Sequence, residues 1–238
     1  MEEFLRTRGG RAVFLLDLSD RKYPNRDRLL ASYGIDIRPA LVIEENPSNF
    51  LPNQPHVLIP SMVEHAIMKP LGSADMPILF PLAQVISLMD IKKRRVTIEP
   101  LLATSNRAWA QVNLGSKSSQ KTANDLDGPF ILAVAITDKG ETGEKESRIV
   151  VTSSAQFLYP SKNFGQLPVN ESFFRNSLNW LRGAEELISI QPRSVSTTRY
   201  NITLSSLQFY LFVGITVLLV PALIFGAGLA VYLRRRHR

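Results

Sequence analysis

The chain has 238 residues, no cysteine and three histidines, and its 28 basic and 21 acidic residues give a formal charge of +7. The lack of cysteine excludes disulfides, thiol nucleophiles and thiolate metal sites. Four of the basic residues fall in the last five positions, and without them the excess is only three, which leaves no basic face for nucleic acid. Read from its start, 11–18 (RAVFLLDL) is an apolar run bounded by polar residues, the pattern of a strand buried on both faces of a parallel sheet. Residues 25–33 place Leu29 and Leu30 on one helical face, and Gly34 is positioned to end that helix. A second strand is expected at 37–43, so the chain opens β-α-β. Further strands are expected at 56–59, 78–80, 96–101, 130–136 and 149–152. A helix is expected at 172–180, where Phe173, Phe174 and Leu178 recur at helical spacing. Strands alternating with helices predict an α/β fold, a mostly parallel sheet flanked by helices. Residues 114–127 and 137–147 are polar and read as surface loops, the second as a hairpin tip or a connection between neighbouring strands.

The C-terminal stretch has a different character. Residues 207–233 are almost wholly apolar, and their length exceeds the roughly 20 residues that a helix needs to cross a bilayer. One transmembrane helix is therefore predicted. Arg234, Arg235, Arg236 and Arg238 follow it, and such a cluster is retained on the cytoplasmic side. These assignments divide the chain into an extracytoplasmic domain at 1–189, a linker at 190–206, a membrane span at 207–233 and a basic cytoplasmic tail at 234–238. The implied location is the bacterial inner membrane. Residues 1–20 hold no signal that would start translocation, so loss of a preceding segment is also expected. Within the span, Ala222, Gly226 and Ala230 recur every fourth residue, a small-residue stripe that lets another helix approach closely.

Signals for catalysis are sparse. A hydrolase would have to centre on His65, working with a serine such as Ser61 or Ser105, yet no G-x-S-x-G turn is present to display a nucleophile. No phosphate-binding loop occurs, and the nine-residue spacing of His56 and His65 fits no helical ligand pair, so no cofactor and no metal are assigned. Trp109 and the loops at the strand C-termini are where an α/β sheet would form a binding cleft.

Several segments, taken in order, carry a family resemblance: GGRAVFLLDL, LLASYGIDI, HAIMKPL, ILFPLAQVI, EPLLATSNRAW, DGPFILAVAI, RIVVTSSAQFL and NESFFRNSLNWLRGAEELISIQPR. Together they resemble the C-terminal part of GldG-like, gliding-motility-type auxiliary components of uncharacterised ABC-type transport systems. The resemblance implies a domain similar in fold to class I glutamine amidotransferases, held between two membrane helices and associated with an ABC-2-type permease and an ATPase. It departs from the family after RIVV, where a Gly-Asp-Ser-Asp-Phe-like turn is replaced by Ser153, Ser154, Ala155, Gln156 and Phe157. Amidotransferase chemistry is excluded, because its nucleophile is a cysteine. The expected function is thus a non-enzymatic, membrane-anchored auxiliary subunit with a substrate-binding or scaffolding domain. Its expected partners are the permease, the ATPase, the lipid bilayer and a transported ligand such as an envelope polymer. The alternative is the His65-centred cell-envelope hydrolase.

Overall fold

A computed structural model of the chain describes residues 2–72, 74, 76–90, 94–115, 120–140, 145–159, 167–184, 214 and 220–236. They fall into two units, Met1–Gln191 and Pro192–Arg238. In the first unit a short helix α1 (Glu2–Thr7) leads into β1 (Arg11–Leu15), α2 (Pro24–Ala31) and β2 (Ile35–Ile43). Pro24 occupies the first turn of α2, where its missing N–H costs nothing. Gly34, at φ +86°, takes the left-handed turn that ends the helix and aims the chain into β2.

Short strands β3 (Phe50–Leu51), β4 (Gln54–Leu58), β5 (Ser61–Met62) and β6 (Phe80–Pro81) follow, then β7 (Gln84–Leu88), β8 (Val96–Ala103) and β9 (Trp109–Gln111). The unit is completed by β10 (Leu126–Asp127), β11 (Ile131–Asp138), β12 (Ser147–Thr152) and the helix α3 (Pro168–Leu181).

Nine strands form one sheet in the order β1-β12-β11-β7-β2-β9-β10, with β8 paired to β11 and β5 to β8, while β3, β4 and β6 form a small second sheet. β11 is the branch point. It pairs with β12 from Ala133 to Asp138 and with β8 along its length, and its first residue Ile131 lies opposite Ile86 of β7. Gln84 N–H donates to the Ser153 carbonyl at 3.1 Å, so β7 takes up where β12 stops.

Each face of the large sheet is covered. Leu5, Leu29, Leu30 and Tyr33, from α1, α2 and the turn after it, pack with Ile35, Ile86, Val134, Ile136, Ile149 and Val151. On the other side Phe173, Trp180 and Leu181 of α3 pack with Val42, Leu101, Leu132, Ala133, Ala135 and Val150.

The sheet corrects the predicted fold class. It is mixed and largely antiparallel, with β1 and β12 the one parallel pair among the described residues, and it is not the mostly parallel, glutamine amidotransferase-like sheet that the sequence suggests. The physical reason lies in what an apolar run records. FILAVAI and IVV are apolar throughout because helices cover both faces, and burial on both faces says nothing of strand direction. Asp138 pairs with Ser147, so the polar segment between them closes a hairpin, a connection that only antiparallel strands permit.

The second unit contains the helix α4 (Val220–Arg236), 17 residues long with Pro221 in its first turn. Among the described residues no helix is long and apolar enough to cross a membrane. The apolar part of α4 ends at Leu233, about 21 Å of helix at ~1.5 Å per residue, against a hydrocarbon core of roughly 30 Å. This overturns the predicted transmembrane helix, and with it the assignment to the bacterial inner membrane as a single-pass protein with an extracytoplasmic main domain and a cytoplasmic C-terminus. The sequence count began at Leu207, whereas helix is described continuously only from Val220. The linker 190–206, residues 207–213 and 215–219, and Arg238 lie outside the described residues.

Candidate functional site

The segments that leave β2 and β8 meet at Glu44 and Ser105. Glu44 is 2% exposed. One of its oxygens accepts from Glu45 N–H and Asn46 N–H, each at 3.0 Å, and from the Ser105 hydroxyl at 2.7 Å, and the other accepts from Ser105 N–H at 3.1 Å. The Ser105 oxygen in turn accepts from Arg107 N–H at 3.1 Å. A carboxylate with this many donors, most of them backbone, is an anchor for two loops, because each donor would otherwise be left unpaired in the interior.

His65 serves its own turn. Its Nδ1 accepts from Ile67 N–H at 3.1 Å, which puts the neutral ring's proton on Nε2. That nitrogen lies 3.8 Å from Glu99 Oε2, and the ring meets Trp180 edge-on with centroids 5.4 Å apart. Arg148 covers the same indole, its guanidinium carbon 5.0 Å from the ring centroid. Ser61 is exposed on β5 opposite Ala103, and the Ser105 hydroxyl proton is directed at Glu44. The expected histidine–serine pairing is thus not what orients Ser105. Trp109, expected near a cleft, is instead buried on β9 opposite Ile43, and its indole N–H has no partner among the described residues.

The C-terminal end of the parallel pair holds a polar turn that includes Ser153, Ser154 and Gln156. The Ser154 hydroxyl donates to the Pro81 carbonyl at 2.6 Å and accepts from Gln156 N–H at 3.0 Å. The Thr152 hydroxyl donates to the Ser154 carbonyl at 3.1 Å. Gln84, from the strand that sequence reading missed, donates its side-chain amide to the Asp17 carbonyl at 3.1 Å. Here hydroxyls and amides hold the backbone, and Asp17 is left as the exposed acid.

No family model and no curated protein matches the chain. Among solved structures it is similar to one described as the mmIFT52 N-terminal domain, at 15% identity and a TM-score of 0.43, over 76% of this chain and 69% of that one.

A third polar surface lies beyond β9. A cavity of about 330 Å³ is lined by Gln111, Val112, Asn113, Gln120, Thr122, Asn124 and Asp125. Asp125 builds it by accepting from Val112 N–H at 3.0 Å, Thr122 N–H at 2.7 Å and the Thr122 hydroxyl at 2.8 Å. The backbone N–H groups of Val112 and Thr122 hold its carboxyl below the ordinary range. Composition marked this segment only as a polar loop; the signal available in the sequence was an Asp three residues after a Thr, a local staple. Such a lining of amides and hydroxyls offers donors and acceptors to a polar ligand. Among the described residues no group of three or more His, Asp and Glu could hold a metal ion.

The residues predicted for helix packing and charge lie on α4. Ala222 and Gly226 are exposed, and Ala230, eight residues after Ala222, falls on the same helical face. Arg234, Arg235 and Arg236 form the last turn, where cations complement the helix dipole.

Proposed function

We propose that this chain is a non-enzymatic auxiliary subunit of an ABC-2-type export system, acting through a domain that binds a ligand or scaffolds the permease. The ordered resemblance to GldG-like components supports this reading, since it runs through the buried strands as well as the loops. The observation that carries it is the bonding of the side chains a hydrolase would need. Ser105 donates to Glu44 and Glu44 is filled by backbone donors, while His65 accepts from its own turn. The amide-lined cavity around Asn113 and Asn124 is the proposed ligand surface, and the stripe of Ala222, Gly226 and Ala230 on α4 is the proposed contact with a partner helix. A Cβ at Gly226 would meet no atom within 4 Å among the described residues, so Gly226→Leu tests that contact without a clash against them.

The test is copurification of the tagged full chain with a coexpressed ABC-2 permease and ATPase. Retention of both, weakened by Gly226→Leu, is the expected result. Recovery of the chain alone, under conditions that keep a known permease–ATPase pair together, would sink the proposal.

A further inference from the structure

We infer that His65 is an acid-released latch on the C-terminal half of α3. The turn after β5 begins at His65 as a helix begins at its cap. The His65 carbonyl accepts from Met68 N–H at 2.9 Å and Lys69 N–H at 3.0 Å, and the ring Nδ1 accepts from Ile67 N–H at 3.1 Å. A ring nitrogen can cap in this way only while it carries no proton, because a protonated imidazole is a donor at both nitrogens. A second proton would set two donors face to face and break the cap. The bond is therefore present at neutral pH and lost as pH falls.

What this turn holds gives the break its consequence. Ile67, Met68 and Leu71 are buried in the same core as Phe173, Trp180 and Leu181 of α3. The Ile67 carbonyl accepts from Asn176 Nδ2 at 3.1 Å, and the His65 ring packs edge-on against Trp180. Near its start α3 is fastened by Asn170 to Leu79 and Phe157, bonds that do not pass through the turn. Near its end the contacts with Ile67 and with the imidazole both do. Arg148, whose Nη1 donates to the Trp180 carbonyl at 2.8 Å, remains when His65 lets go.

The charges around the ring come from three elements among the described residues. Glu99 of β8 draws an extra proton toward the ring from 3.8 Å, and Arg148 of β12, which lies over the same indole and is tied to Glu146 at 2.6 Å, opposes it. Glu64 and Lys69 of the turn itself are exposed. The Glu99 side chain is 50% exposed and screened by water, whereas the His65 side chain is only 5% exposed and its cap bond is unscreened. Protonation is thus answered by movement of the ring out of the turn. This inference stands apart from the proposed export function.

The test is nuclear magnetic resonance of the isotope-labelled full chain, repeated with His56→Gln so that the other histidine of this unit cannot contribute. At pH 7.5 His65 should show a bare Nδ1 and a protonated Nε2. Between pH 7.5 and 5.5 its ring, the Ile67 amide and the Trp180 indole N–H should shift with one midpoint, while the Leu79 amide stays in place. Hydrogen exchange at the Ile67 amide, taken relative to Leu79, should speed about tenfold over that range. His65→Asn keeps a capping acceptor and removes the titrating group, so it should stay folded and lose the response. A proton on Nδ1 at pH 7.5 would overturn the inference. So would a ring that stays neutral to pH 5.5, a Trp180 signal unmoved while the ring titrates, or a response that survives in His65→Asn.

Discussion

At the scale of single residues, the interior polar groups act as anchors, and their loss should be measured as stability. Glu44→Gln keeps the shape but turns an amide toward backbone N–H groups, a loss of about 2 kcal/mol; Ser105→Ala removes one hydroxyl donor and should cost about 1 kcal/mol. Urea midpoints should rank the variants in that order, and the double variant should lose less than the sum, because the two groups share a bond. An additive pair would show that the Glu44–Ser105 bond contributes nothing. His56 gives a pH dependence. Burial holds its imidazole below the ordinary value of 6.5, so the unfolded chain takes up the proton first as pH falls. The corresponding stability is intact above about pH 6.5 and declines below it. Thermal midpoints compared at pH 7.5 and 5.5 should fall further for the natural chain than for His56→Gln, and equal slopes would exclude His56 as the cause.

At the scale of elements, α3 is docked through two buried amides, Asn176, which donates to the Ile67 carbonyl at 3.1 Å, and the more fully bonded Asn170. Asn170 accepts from Leu79 N–H at 3.1 Å and donates to the Leu79 carbonyl at 2.6 Å and the Phe157 carbonyl at 2.8 Å. Asn170→Leu should cost about 3 kcal/mol by leaving those groups unpaired, and should speed hydrogen exchange at the Leu79 amide. Unchanged exchange there would mean that the helix is seated without the Asn170 bonds. The same contrast explains what could be read from the sequence. The apolar runs of β1, β8, β11 and β12, the Leu29–Leu30 pair and Gly34 announced themselves through period and turn chemistry. β7 did not, because Gln84 sits at its buried start and Ser87 near its end, so QVISL has no clean alternation. Strand direction was hidden because it depends on pairings between residues far apart in the chain, such as Ile37 with Ile86. The anchors at Glu44 and Asn170 were equally hidden, since each is defined by a partner more than 60 positions away.

At the scale of the whole molecule, both large core clusters and the smaller one around Val57, Leu79 and Leu167 lie within Met1–Gln191. A chain ending at Gln191 should therefore unfold in a single cooperative step, with the near-ultraviolet signal of Trp109 and Trp180 preserved. A broad transition lacking that signal would show that residues beyond 191 are needed for folding.

The pairing of β1 with β12 also fixes an order of events during synthesis. β1 is completed by β12, and the roughly 140 intervening residues take on the order of ten seconds to be made. Throughout that interval RAVFL is an apolar segment with neither edge occupied. The nascent chain can settle β2, β7 and β9, then β8, β11 and β12 in turn, but it cannot take in its own beginning until Thr152 has emerged. Closure of the sheet at β1 is therefore a late, long-range step.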